Sequence, residues 1–585
     1  MSNRREQSMD QMLRSETEKL LKNPMNRKSF LSKTGKVAGL ALGMTLANQF
    51  NGLKVEASPQ FTNYPFQLGV TSGDPLADSV VLWTRLAPEP LNGGGMPNYN
   101  VPVQWEIAED EKFHKVLDQG TEVARPELGH SVHVEVFGLK PNRKYYYRFK
   151  SGNETSPIGK TKTLPAPGDK LSKLTFAFAS CQQFEHGYYT AYRHMAEEDL
   201  DLVIHLGDYI YEYGPNEYVA KTGNVRTHSG PEIITLDDYR NRLAQYKSDK
   251  DLQAAHAAFP WIVTWDDHEV ENNYADEIPE RGQSVEDFIQ RRANAYQAYY
   301  EHMPLRKSSI PHGPDMNLYR RFTYGDLVEF NVLDTRQYRD NQANGDGIKA
   351  PSRESMDPNR SLLGAEQEQW LLEGLGRSQT QWNVLAQQIF FNQLNFDTNG
   401  DVKYNMDAWD GYSASRDRII DFISENQVEN LVVLTGDVHA SWAGDIKKSY
   451  NGPNSEILGS EFVGTSITSG GDGADKRKDT DAILTENPHI KFFNDYRGYV
   501  SCTITREKWM AEYKVVPYVS QPGAPIHTRA TFEIKNNQPG LHLKKDKPLS
   551  TKIQKSNEVE GERIEAQDKA HEKQAKKKEQ KIRSN

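Results

Sequence analysis

The sequence predicts an all-β unit followed by a larger α/β unit. Three observations carry that prediction. The chain has 585 residues, more than one hydrophobic core normally organises. Residues 62–165 hold short β-rich runs separated by Gly, Pro and Asn. Beyond residue 170, strand-like runs that end in polar clusters alternate with helical ones.

Taken in chain order, residues 1–57 read as an export signal. Arg27 and Lys28 precede a moderately apolar run, Val37–Phe50 (VAGLALGMTLANQF), too short and too polar to stay in a bilayer. Val55 and Ala57 then fit a small-residue cleavage site. The segment resembles a twin-arginine signal with Lys28 in place of the second arginine; Arg4-Arg5 lies far from the apolar run. An amphipathic N-terminal helix is the alternative. The reading implies passage through an export machinery, a secreted or cell-wall location, and a mature chain without a transmembrane anchor.

Residues 62–165 contain VVLWTRL, VPVQWEIA, HVEVFGL and KPNRKYYYRFKSG. This spacing predicts a β-sandwich of about a hundred residues, and GLKPNRKYYYRF resembles the late strands of a fibronectin type III-like module. Thr163–Asp169 (TLPAPGD) reads as a linker. From 170 to 549 come LTFAFASCQQ, DLVIHLGDYIY, FPWIVTWDDHE, DLVEFNVLDTRQYR, WNVLAQQIFF and ENLVVLTGDVHASW. Ser284 with Asp287 can cap a helix through Phe288, Ala295 and Tyr299. Glu366–Leu375 and Ser415–Asn426 are further helix candidates. Residues 550–585 are acidic first and basic last, with few apolar anchors, and read as a solvated helix or tail; a lid over the active site is the alternative.

Composition removes some functions. The formal net charge of -10 argues against a nucleic-acid-binding surface. Cys181 and Cys502 are the only two cysteines, which is no disulfide framework. Cys502, in YVSCTITRE, reads as a core residue. No fixed-period repeat is present, and a monomer is expected.

Four strand ends carry candidate ligands: Ser180-Cys181-Gln182; Gly207-Asp208-Tyr209-Ile210-Tyr211; Trp265-Asp266-Asp267-His268-Glu269 with Asn272 and Asn273; and Gly436-Asp437-Val438-His439. Each alone is weak, since a strand-end Asp commonly caps a helix and a lone Cys commonly packs. Ligands of open α/β sheets bind beyond the strand ends, where all four fall.

GDYIY, then DHE, then GDVH resembles the metallophosphoesterase pattern of GDxxY, GNH and GHxH. More closely, the chain resembles the PhoD-type alkaline phosphatase/phosphodiesterase family. That resemblance runs through SGDP, FASCQQFEHGYY, HLGDYIYEYG, WDDHEVENNY, LDTRQYRD, EFVGTSITSGG and RGYV. It implies an α/β metallophosphoesterase-like sandwich preceded by the all-β domain. It also implies a secreted enzyme cleaving phosphate mono- and diesters through a metal-activated hydroxide at an Fe3+ and Ca2+ centre, with Asp208 bridging the metals.

The residues add detail. Asp267, with Asp266 beside it, stands where the general pattern has Asn, and Asp437 where it has His. Carboxylates in place of nitrogen donors favour Ca2+; which of Asp266 and Asp267 binds stays open. Tyr211 and Cys181 offer a phenolate and a thiolate, which suit Fe3+. Asn273 is a Ca2+ ligand candidate, with Asn272 competing. His439 is a ligand or a contact behind one; His268 is a general acid or a ligand. Arg336 and Arg339 are candidates to clamp the phosphoryl oxygens, with a salt bridge as the alternative. Trp409 and Tyr412 form an exposed pair able to stack on substrate, or else pack a loop. Gln387 or Gln388 touches phosphate or closes a strand end. Phospholipid, nucleotide, teichoic acid polymer and general phosphate scavenging all remain open as substrates. Rival functions are a purple-acid-type two-metal phosphatase, a phospholipase D-like esterase, and a non-catalytic cell-wall-binding protein.

Overall fold

The computed structural model describes residues 60–280, 282–452 and 454–549. The export segment and the charged tail read from the sequence lie outside the described residues. The described residues belong to one compact unit. Among the described residues, no helix is long and apolar enough to cross a membrane.

The strand Leu202–Leu206 shows how the sheets are built. All five of its residues are buried, as expected of a parallel strand covered on both faces. It pairs in parallel with Lys173–Ala179 on one side and Pro260–Thr264 on the other. Side chains alternate across a strand. Leu202, Ile204 and Leu206 therefore face a second sheet, sharing a core with Phe330, Val384, Val432 and Phe462. Val203 points the other way, into a core with Tyr239, Leu243, Tyr296 and Tyr299 of the helices Leu236–Lys247 and Val285–His302.

The second sheet has the parallel strands Val328–Val332, Trp382–Ala386, Leu431–Thr435 and Ile457–Val463 at its centre, with antiparallel neighbours. Its outer face packs on the helices Gly364–Arg377 and Ser413–Glu425 through Leu371, Leu375, Ile419, Ile420 and Ile423. Two sheets thus lie face to face with helices outside both. Cys502 lies in the core between the sheets. Ser284 Oγ accepts the Asp287 N–H at 3.1 Å and caps its helix.

The β-rich N-terminal segment is divided between two sheets. Val70–Gly73, Ser79–Arg85 and Ser131–Phe137 continue the first sheet beyond Pro260–Thr264, giving it ten strands. Val101–Ala108, Val116–Ala124, Lys144–Ser151, Glu154–Thr155 and Gly159–Lys162 form a smaller sheet. The two pack around Val80, Leu82, Val103, Val134, Tyr147 and Phe149. One layer of this segment is therefore the far wing of the large sheet.

Candidate metal centre

The parallel strands stop at one end of the two sheets, and the polar clusters follow them there. Ser180 bridges to Ser466, while the Cys181 and Gln182 N–H groups donate to the carbonyls of Gly207 and Asp208. Such close approach needs residues without a side chain. A Cβ on Gly207, which has φ +101°, would lie 2.6 Å from the Asp266 backbone nitrogen; one on Gly436 would lie 2.9 Å from Ser180 Cβ.

Past each glycine the backbone turns left-handed. Cys181 (φ 59°), Asp208 (56°), Asn273 (48°), Asp437 (58°) and His439 (55°) all occupy this sparsely populated region. Strain gathered on five polar residues around one point marks a site held by its surroundings. Glu269 does part of the holding. Its buried carboxylate accepts the N–H groups of Asp208 at 3.1 Å, Tyr209 at 2.5 Å and Asp266 at 2.8 Å.

Three sets of donors result, each with its ligand atoms within 4.8 Å of one another: Cys181, Asp208 and His439; Asp208, Asp267 and His268; Asp266, Asp267 and Asp437. Asp208 and Asp267 are each shared by two sets. Tyr211 joins the first: its phenolic oxygen lies 2.8 Å from Asp208 Oδ2, to which it donates, and 3.0 Å from His439 Nε2. Asn273 adjoins the third, donating its N–H to Asp267 Oδ2 at 2.8 Å and its side-chain amide to Asp346 at 2.7 Å. Asn272 also lines the cavity, its backbone N–H on Glu212 and its amide on Glu280.

Positive charge is short here. Asp208 Oδ1 and Asp266 Oδ2 are buried oxygens with no hydrogen-bond donor, and Asp267 Oδ1 has only the Arg336 guanidinium at 3.4 Å. Burial, then the charges of Asp266 and Asp407, push the Asp437 carboxyl well up. Burial and Asp208 push the Cys181 thiol up. Burial opposes charge on His268 as well, but Asp267, Glu212 and Asp208 hold its imidazole well above the ordinary range. Orphaned carboxylate oxygens beside a thiol, a phenol and an imidazole fit metal cations, oxygen-rich on one side and mixed on the other.

The arginines take the ion-pair alternative and not the phosphoryl clamp. Arg336 and Arg339 are fully buried and do not line the cavity. Arg336 donates to Asp266 at 2.5 Å and, through both terminal nitrogens, to Asp407 at 2.8 Å. Arg339 donates to Asp407 at 2.5 Å and to the Thr335 carbonyl at 2.6 Å. Their forks hold carboxylates, which leaves no edge for a phosphoryl group. Trp409 and Tyr412 are buried, not exposed: the Trp409 indole donates to Gln387 and the Tyr412 hydroxyl to the Asp340 carbonyl. Gln387 and Gln388 close strand ends, donating to Thr435 and to Thr264 and Leu333.

The sequence reading missed Asp407, Glu212 and Ser469. Asp407 lines the cavity. Burial opposes its charge, yet Arg336 and Arg339 hold its carboxyl well below the usual range. Glu212 lies 2.8 Å from His268 Nδ1. Ser469 donates to the Tyr211 phenol at 2.8 Å. Only Glu212 carried a local signal, as the acid next to the candidate ligand Tyr211. The cavity, about 70 Å³, is polar at the carboxylates and apolar along Phe390, Leu394 and Phe396.

Comparison with known proteins agrees with this architecture. Residues 176–513 match the profile of the family described as PhoD-like phosphatase, and residues 52–165 match the profile of its N-terminal domain. The chain is 65% identical over 560 residues to alkaline phosphatase D of Bacillus subtilis (strain 168), covering 96% of both chains. A solved structure titled "Structure of PhoD" superposes with a TM-score of 0.87 at 65% identity, covering 90% of this chain and 100% of that one. With over half its length in the family profile and a near-full-length relative at this identity, the chain belongs to the PhoD-like phosphatase family.

Proposed function

We propose that this protein is a secreted phosphodiesterase/alkaline phosphatase with an Fe3+ and Ca2+ centre, the two sheets forming a metallophosphoesterase-like sandwich and residues 62–165 serving as scaffold. One observation carries the reading: three overlapping donor sets share Asp208 and Asp267 and leave buried carboxylate oxygens without partners. Cys181, Asp208, Tyr211 and His439 supply the mixed donor set that suits Fe3+, and Asp266, Asp267, Asn273 and Asp437 the oxygens that suit Ca2+. Bound there, the metals supply a nucleophile from water and positive charge for the phosphoryl oxygens.

The chain's own groups do the rest. Asp208, shared by two donor sets, fixes the spacing between the two sides. Glu212 anchors His268 through Nδ1, so Nε2 is the atom that delivers a proton to the departing alkoxide. Phe390, Leu394 and Phe396 form a wall for the organic part of the ester and exclude water from it. Arg336 and Arg339 act at one remove: Arg336 holds Asp266 in place, and the pair keeps Asp407 ionised. Residues 1–57 direct export before removal.

The test uses purified mature protein and a bis-aryl phosphodiester at alkaline pH, before and after selective Ca2+ chelation. Turnover collapses and returns with Ca2+ but not with Zn2+. Turnover that survives chelation refutes the calcium side, and none at all with both metals supplied favours the cell-wall-binding alternative.

A further inference from the structure

The segments EFVGTSITSGG and RGYV also carried the family resemblance. They meet behind Tyr211. Arg497, at the start of the strand Arg497–Thr505, is buried. One of its terminal nitrogens lies 2.6 Å from the His439 carbonyl, 2.7 Å from Ser466 Oγ and 2.7 Å from the Ser469 carbonyl. The other is held by Asp495 at 2.8 Å. Ser466 Oγ also donates to the Ser469 carbonyl at 2.6 Å. A single guanidinium therefore ties the loop bearing His439 to the loop bearing Ser469.

Ser469 Oγ in turn has its polarity set. It accepts the Gln183 N–H at 3.1 Å, so its proton is directed at the Tyr211 phenolic oxygen, 2.8 Å away. Both serines are fully buried, where the low local dielectric strengthens such bonds. The phenol proton faces Asp208, so a metal beside Asp208 would displace that proton and leave the Ser469 bond intact.

We infer that Arg497 and Ser469 are positioning residues for the Tyr211 side of the centre: Arg497 locks the two loops together, and Ser469 donates a hydrogen bond that orients the phenolic oxygen and weakens its electron donation to the metal. The inference rests on the proposed role of Tyr211 as an iron ligand. Groups of this kind commonly change metal affinity or activity by about 10- to 100-fold when removed.

The test compares the visible tyrosine-to-iron charge-transfer band of the full mature protein with those of Ser469→Ala, Ser469→Thr and Arg497→Lys, at measured iron content. Ser469→Ala keeps its iron and shifts the band to longer wavelength, because the phenolate has lost a donor; Ser469→Thr restores the wild-type position. Arg497→Lys, which keeps the charge but not the fork, broadens the band and serves if the alanine variant fails to fold. A wild-type band that Ser469→Ala leaves in place overturns this inference alone. A folded, iron-loaded wild type with no such band overturns the role of Tyr211, and this inference with it.

Discussion

At the scale of single residues, two buried cations behave in opposite ways. Arg336 is surrounded by carboxylates, with Asp266 and Asp407 both bonded to it. Arg336→Leu would leave Asp266 buried without its partner, while Asp407 keeps Arg339, and the expected loss is about 3–5 kcal/mol, read as a lower unfolding midpoint in the metal-free protein. Lys247 instead has no hydrogen-bond partner for its side chain among the described residues. Its ammonium sits 4.3 Å above the Trp83 ring and 5.4 Å from that of Tyr209. Burial lowers its pKa from 10.5 to about 7. Between those values the unfolded chain binds a proton that the folded one does not, so this group makes stability rise with pH across that window and contributes no slope below it. The ring contact offsets part of the burial cost. Lys247→Met should raise stability at pH 7 by on the order of 1–3 kcal/mol and flatten the rise toward pH 10, as denaturant midpoints at several pH values will show.

At the scale of elements, the site depends on how strands end. Gly207→Ala places a methyl group against the Asp266 backbone and forces alanine to φ +101°. The expected result is a protein that still folds, destabilised by about 1–3 kcal/mol, with most of its bound metal lost on elemental analysis. Strand ends are also where the sequence was most legible. Gly-Asp after an apolar run is a local pattern, as is Ser284 before its helix, and both were read from neighbouring residues alone. Asp407 was not readable, because it lies in a loop without periodicity and meets Arg336 and Arg339 only once the chain has folded. The same holds for Ser469, whose target is Tyr211. The arginines were placed near the site, but sequence spacing could not distinguish an Arg facing phosphate from one facing Asp266. Trp409 and Tyr412 looked available because turn composition around them hid their burial.

At the scale of the whole molecule, the N-terminal segment completes the first sheet. Val70–Gly73 pairs with Pro260–Thr264, and the Trp83 indole donates to the Glu301 carbonyl at 2.9 Å. Removing residues up to 165 would strip three strands from the first sheet and bare the apolar strand Pro260–Thr264 as an open edge, a template for aggregation. The fragment 166–549 is expected to be insoluble or to melt without cooperativity by circular dichroism. A soluble fragment with a sharp transition would show instead that the remaining sheets stand alone.

The pairing of Lys173–Ala179 with Arg497–Thr505, which sets Phe178 opposite Val500, also fixes an order of events during synthesis. The early strand leaves the ribosome about 320 residues before its neighbour. At typical elongation rates of roughly 5–20 residues per second it waits about 16–64 s with one edge open. For most of that interval the nascent chain holds Cys181 and Asp208 but neither Ser469 nor Arg497. The support proposed for the Tyr211 side of the centre can therefore be completed only late in synthesis, once Arg497 has been added.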